Sequence, residues 1–316
     1  MRRFLLGLTI LLILSAGPVL ATTPGQCPPE GNWLQVLGSG GPELQDRRAS
    51  SSYLVWIDGK ARLLVDAGGG SALRFGQAGA DVASLDAVVF SHFHVDHSGD
   101  FPALVKSSFF EGRNRSLPVF GPTGNRFLPS ASDFLRRLFD ADQGSWPYLS
   151  HFLPGERHFA YELMPTDVDA DKDEIQAVWE NERMRLSAVR AHHGPLPALS
   201  WRVDLKNGGS VTFSGDMSGK YARLPVLAKN SELLVAHHAI AEDTSGVGRL
   251  LHMPPSVIGD FAAKANVGRL ILSHRMLRSL GRERESLALI RESYHGTVDL
   301  AEDLDCFPIL NNKKAR

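Results

Sequence analysis

Ser91-His92-Phe93-His94-Val95-Asp96-His97-Ser98-Gly99-Asp100 decides the reading of this 316-residue chain. Three imidazoles and a carboxylate fall within six positions, directly behind the apolar run Leu85-Asp86-Ala87-Val88-Val89-Phe90. These are the side chains that zinc and similar divalent ions accept. A single histidine after a strand is ordinarily a packing or surface residue. Twelve histidines scattered over a chain give a chance pair, not this ordered H-x-H-x-D-H run. Residues 92, 94 and 97 cannot share one face of a helix, so the run is expected to be a shaped loop that cradles metal.

The N-terminus reads as a secretory signal peptide over residues 1–21. Arg2 and Arg3 precede an apolar stretch from Phe4 to Ala16, and Val19 and Ala21 supply the small residues of a cleavage site. The alternative, a membrane anchor, needs about 20 apolar residues, and Gly17-Pro18 interrupts the run before that. The expected location is therefore periplasmic or secreted, with no membrane association after cleavage. Losing Arg2 and Arg3 moves the formal charge from −1 to −3, which gives no electrostatic hold on nucleic acid. A hydrophobic fraction of 43% suits a soluble chain with a substantial core.

Cys27 and Cys306 are the two cysteines, one near each end. Export would deliver them to an oxidising compartment where they can pair. Two free thiols are the alternative, and a lipid-bearing Cys27 is disfavoured by Gly25-Gln26 before it.

Strand-like runs recur at Trp33 to Leu37, Tyr53 to Ile57, Ala61 to Val65, Ala87 to Phe90, Met184 to Arg190, Ala198 to Val203, Ser210 to Phe213, Leu233 to Ala236 and Leu270 to Leu272. Asp58-Gly59 and Asn207-Gly208-Gly209 mark hairpins. Helices are expected over Asp100 to Phe110, Ser130 to Phe139, Pro255 to Ala265 and Glu283 to Ser293. Such mixing predicts an α/β protein with sheets covered by helices. From about residue 125 to 182 the strand pattern fades, and this part reads as an insertion, either packed on the surface or covering substrate as a lid. His151 and His158 fall in it and receive no metal role.

Three later strands each end on a candidate ligand: Val189-Arg190-Ala191-His192-His193-Gly194, Phe213-Ser214-Gly215-Asp216, and Leu272-Ser273-His274. Together with the opening run they resemble the metallo-β-lactamase superfamily, within it the ribonuclease Z and phosphodiesterase branch. The resemblance runs from Leu37-Gly38-Ser39-Gly40-Gly41 through Leu63-Leu64-Val65-Asp66-Ala67-Gly68 to Ser273-His274. It implies an αββα sandwich over residues 27–310 and a binuclear site, with two Zn2+, or Mn2+ or Fe, as cofactors. His92, His94 and His193 would hold one ion, Asp96, His97 and His274 the other, with Asp216 bridging. His192 rivals His193. Asp66 would orient a ligand from behind, and Gly38 to Gly41, lacking the lysine of a phosphate loop, reads as a turn.

The same resemblance implies hydrolysis of a phosphodiester or related ester by a hydroxide held between the ions. Asp96 would take the proton and His252 would protonate the leaving oxygen. Two departures stand out. The branch's tRNA-clamping arm has no room between His193 and Asp216, and its His-Glu pair appears as His237-His238. A small-molecule ester is thus the expected partner and tRNA is not, with the oligomeric state left open, a homodimer included. The rival readings are a sulfatase, lactonase or β-lactam hydrolase on the same site and, from another class, a non-catalytic metal-binding or redox module. His237 and His238 could be further ligands or hydrogen-bonding residues.

Overall fold

Period-2 alternation within single strands builds two separate apolar layers from the same residues. In a computed structural model, which describes residues 25–155 and 161–310, strand β2 (Ser52–Ile57) turns Tyr53, Val55 and Ile57 to one side and Leu54 and Trp56 to the other. The expected signal segment lies outside the described residues. Strand β11 (Leu233–His237) does the same, with Leu233 and Val235 on one side and Leu234 and Ala236 on the other. A strand buried on both faces needs cover on both, and the solution is two sheets face to face with helices outside.

The first sheet runs in the order β14 (Cys306–Pro308), β1 (Asn32–Gly38), β2, β3 (Lys60–Val65), β4 (Ala87–Val89), β5 (Leu117–Pro122) and β6 (Leu163–Val168). The second runs β13 (Thr297–Leu300), β12 (Arg269–Ser273), β11, β10 (Ser210–Phe213), β9 (Leu199–Leu205), β8 (Met184–Arg190) and β7 (Gln176–Glu180). Between them lies a core of Leu34, Tyr53, Val55, Leu63, Val65 and Val89 against Leu186, Leu199, Trp201, Val211, Phe213, Val235 and Ile271. Outside the first sheet pack α1 (Ser71–Gln77), α3 (Phe101–Ser108) and α4 (Ala131–Phe139), through Phe75, Phe101, Leu104, Leu135 and Phe139. Outside the second pack α5 (Leu224–Leu227), α7 (Pro255–Ala265) and α8 (Glu283–Arg291), through Leu224, Ile258, Ala262 and Ile290. This is the expected αββα sandwich.

Asp58 and Gly59 both have positive φ, 48° and 73°, the twist that joins β2 to β3 in a two-residue hairpin. Pro255 opens α7 and Glu283 and Glu285 occupy the first turn of α8, as the sequence predicts. One correction concerns residues 125–182. They include β6, which pairs in parallel with β5, and β7, which pairs with β8. The stretch supplies an edge strand to each sheet, where the sequence shows little strand pattern. Its strands leave little mark on the sequence pattern because Pro165 interrupts β6 and β7 is a bulged, half-exposed edge.

Far from the histidine run stand two clamps, one between the sheets and one within the first sheet. Asp86, buried at the entry to β4, accepts from Arg183 Nε at 2.6 Å and Asn181 Nδ2 at 3.1 Å, both just before β8 in the other sheet. Burial alone would raise this carboxyl, but the Arg183 and Asn181 bonds and the Arg115 charge hold it below the usual range. Cys27 and Cys306 form a disulfide that ties the entry to β1 to the last strand.

Stability linked to Asp86 is present above about pH 4 and is lost as pH falls through the depressed native value. A pH series of urea midpoints is therefore expected to show a wild-type advantage over Asp86→Asn at neutrality that closes in acid. A gap independent of pH would contradict the ion pair. For the disulfide, closure of a loop spanning 279 positions predicts a loss of up to about 5 kcal/mol in Cys27→Ser/Cys306→Ser on the chain-entropy model. Unchanged denaturation with or without reductant would refute that.

Candidate metal centre

Strands β3, β4, β10, β11 and β12 run so that their C-terminal ends meet at one edge of the sandwich, and β8, antiparallel to β9, points the same way. Each of the six ends on a polar residue there: Asp66, the histidine run, Asp216, His237, His274 and His193. The run itself is extended through His94 and then closes one helical turn, α2 (Val95–Ser98). That turn was not expected; it places Asp96 and His97 inward and leaves Val95 in solvent. Gly68 accommodates it, since a Cβ there would come 2.1 Å from the Asp96 carbonyl oxygen. Gly215, at φ 60°, makes the turn before Asp216, where a Cβ would meet the Leu199 carbonyl at 2.8 Å.

Two donor groups form around Asp216, which is 2% exposed. His92, His94, His193 and Asp216 are one, and His97, His237, His274 and Asp216 the other, with the donor atoms of each group within 4.8 Å of one another. Asp216 Oδ2 lies 4.0 Å from His92 Nε2, 3.7 Å from His193 Nε2 and 3.6 Å from His97 Nε2. Its Oδ1 lies 3.4 Å from His274 Nε2. Asp96 Oδ2 stands 3.6 Å from His97 Nε2 and 3.3 Å from His274 Nε2. All seven residues named as ligands from the sequence thus come together. His192 does not: it faces Asp173 and the Tyr221 ring instead.

The outer nitrogens of His92, His97 and His193 have partners, whereas His274 Nδ1 has none. His97 Nδ1 is 2.8 Å from Asp66 Oδ2, the Ser91 amide and hydroxyl donate to the same carboxylate at 2.7 and 2.8 Å, and His193 Nδ1 is 3.0 Å from the Leu251 carbonyl. Ser91 Oγ also lies 3.1 Å from His92 Nδ1. The inner nitrogens are orphans: Nε2 of His92, His97, His193 and His274 are all buried without a hydrogen-bond partner. Buried polar atoms almost always find partners, so four such nitrogens around one carboxylate form a donor set that a cation satisfies. Asp66 and His274 hold left-handed backbone, φ 57° and 51°, a strain tolerated where the surroundings dictate it.

Electrostatics point the same way. Burial would raise Asp216, but the charges of His274, His252 and His97 and the His237 hydrogen bond hold it well below the carboxylate range. Burial pushes His92 and His193 down. An ionised carboxylate and neutral imidazoles are the ligating forms. For His97 burial is outweighed by Asp96, Asp66 and Asp216, which raise it, so this half of the cluster favours positive charge.

His237 sits at a strand end like the candidate ligands, yet it differs from them. Its Nδ1 is 2.7 Å from Asp216 Oδ1 and its Nε2 is 3.1 Å from the Tyr53 hydroxyl, so neither nitrogen is free. His238 turns outward to Ser286 Oγ at 2.9 Å. His252, at the end of α6 (Gly246–Leu251), brings Nδ1 to 3.8 Å from Asp216 Oδ1, and burial pushes it down to about 3.

An αββα sandwich carrying paired His/Asp donor groups at one edge defines a class of metal-binding proteins. The chain belongs to the metallo-β-lactamase superfamily, whose sequence profile matches residues 46–257. It is 30% identical over 286 residues to a ribonuclease Z of Mycobacterium avium (strain 104), covering 86% of this chain and 96% of that one. A ribonuclease Z of Mycobacterium marinum is 26% identical over 289 residues. Among solved structures, the metallo-β-lactamase fold protein YhfI of Bacillus subtilis superposes with a TM-score of 0.66 at 20% identity, over 88% of this chain and 99% of that one. The short form of human tRNase Z gives 0.66 at 19% identity, with the same coverage of both chains.

Asp66→Asn is expected to weaken metal binding by about 10–100-fold without unfolding, because a neutral amide has one accepting oxygen where the carboxylate has two and cannot serve both Ser91 N–H and His97 Nδ1–H. His193→Ala should lose one equivalent of metal and His192→Ala none, counted by elemental analysis after chelator washing. Loss in His192→Ala with retention in His193→Ala would reverse the assignment.

Proposed function

We propose that the chain is a binuclear zinc hydrolase, exported to the periplasm or beyond, that cleaves a phosphodiester or related ester of a small molecule. The observation that carries this is the set of orphaned Nε2 atoms aimed at Asp216. His92, His94 and His193 would hold one ion and Asp96, His97 and His274 the other, with Asp216 shared. Bound there, divalent cations lower the pKa of a water between them toward neutrality and polarise the electrophilic centre.

The chain's own groups supply the rest. Asp96 carries a carboxylate at the edge of the cluster and can take the proton of the attacking water. His252 stands beside Asp216 and is neutral in the free site; an anionic phosphoryl oxygen against it raises its pKa and lets it hand a proton to the leaving oxygen. Arg278 is exposed, its Nη1 lies 2.6 Å from where a Cβ on Gly248 in α6 would be, and its charge is felt by His252. A guanidinium there suits an anionic ester better than a neutral lactone or β-lactam. The relatives named ribonuclease Z supply the rival substrate, RNA. Against it, the link between His193 and Asp216 is spent on the β9–β10 hairpin, whose turn is Asn207-Gly208-Gly209, with no arm to embrace a folded RNA.

Purified mature protein loaded with zinc is expected to turn over bis(p-nitrophenyl) phosphate, to lose that activity to a chelator and regain it with metal, and to leave p-nitrophenyl sulfate, a lactone and a chromogenic cephalosporin untouched. Asp216→Ala should abolish turnover. Cleavage of a precursor tRNA, or of the cephalosporin alone, would sink the substrate assignment, and recovery of the full-length chain from the cytoplasm with residues 1–21 intact would sink the export assignment.

A further inference from the structure

Asp216 has two carboxylate oxygens with different surroundings, and something must keep them apart. Oδ2 faces His92, His97 and His193, whereas Oδ1 faces His274 and His237. A rotation about the Cβ–Cγ bond would exchange them and spoil both halves of the site. His237 Nδ1, 2.7 Å from Oδ1, is the contact that resists this rotation. A carboxylate only accepts, so this nitrogen must carry the proton.

The proton on Nδ1 is in turn fixed from behind. His237 Nε2 lies 3.1 Å from the Tyr53 hydroxyl, which lies 3.0 Å from Ser273 Oγ. A neutral imidazole committed through Nδ1–H presents a bare Nε2 to the phenol, whose single proton is shared between that nitrogen at 3.1 Å and Ser273 Oγ, which accepts it at 3.0 Å. All four residues are at most 2% exposed, so no solvent competes. Tyr53 comes from β2 of the first sheet and is held by the Phe213 ring at a centroid distance of 5.4 Å, while His237 and Ser273 end neighbouring strands of the second sheet. Of the six histidines within 4 Å of an Asp216 or Asp96 oxygen in these contacts, His237 is the one with both nitrogens hydrogen-bonded.

We propose that His237, Tyr53 and Ser273 form a positioning chain that fixes the Asp216 carboxylate between the two ions, and that His237 is not itself a ligand. The inference rests on the two-metal reading of the site. Tyr53 acts across the sheet interface: its phenol dictates the His237 tautomer, and the tautomer dictates which Asp216 oxygen faces which ion.

The test uses the full mature protein and reads metal, not turnover. Wild type, Tyr53→Phe, His237→Asn and His237→Leu are titrated with Zn2+ against a chromogenic chelator, and their Co2+ forms are examined by visible absorption. Tyr53→Phe is expected to fold, to weaken one of the two ions by about tenfold, in the range known for groups behind metal ligands, and to alter the cobalt bands. His237→Asn keeps an N–H near the Nδ1 position and should lie closer to wild type than His237→Leu. Two ions in wild type with unchanged affinity and cobalt bands in Tyr53→Phe would overturn this inference alone. Wild type binding no ion would overturn the metal reading and the inference with it. An unchanged ion count with one cobalt ligand field lost in both His237 variants but not in Tyr53→Phe would make His237 a ligand and overturn the positioning role.

Discussion

A carboxylate with 2% of its surface in solvent, ringed by imidazoles from five separate chain segments, is the constraint on which this structure depends. Burying a charge is tolerable only where partners surround it. Asp216 obtains them because six strand ends share one edge of the sandwich. The fold is therefore more than a support for the site. Without the parallel run of β10, β11 and β12, Asp216, His237 and His274 would lie at opposite ends of a sheet.

The histidine run is tied to both sheets. Trp201, buried in β9, donates its indole N–H to the Phe90 carbonyl at 2.9 Å, and the Leu199 amide donates to Ser91 at 2.9 Å. From its own sheet Asp66 takes the Ser91 amide and faces His97. The loop is thus held between a strand-end carboxylate on one side and the opposing sheet on the other. Side chains fixed at both ends hold ligand geometry far better than a free loop does.

Much of this was legible in the sequence. The run His92 to His97 is contiguous and needs no tertiary information, and His193, Asp216 and His274 share a local signature of apolar strand, turn and donor. The pairing of Cys27 with Cys306 was one of two open readings and is the one found. Strands β5 and β6 were not legible, because Pro118 and Pro165 break the pattern that tertiary pairing then overrides. The part played by His237 was open for a different reason. Residue type and spacing cannot say whether a strand-end imidazole presents a free nitrogen or spends both on neighbours, and its partner Tyr53 looks like any aromatic in a buried strand. The distinction between ligand and support lies in hydrogen-bond accounting, which only the assembled site allows.

The catalytic potential of this edge and its substrate preference come from different layers. The buried layer, Asp66, Asp96, Asp216 and the histidines, is suited to holding cations that activate water. The exposed rim carries Arg278 beside α6 and Val95 in solvent. The central claim, two ions sharing Asp216, is tested most directly by diffraction from crystals of the zinc-loaded protein at the zinc absorption edge. The account predicts two anomalous peaks flanking the Asp216 carboxylate, one among His92, His94 and His193 and the other among Asp96, His97 and His274. A single peak, or a peak ligated by His237 Nδ1, would contradict it.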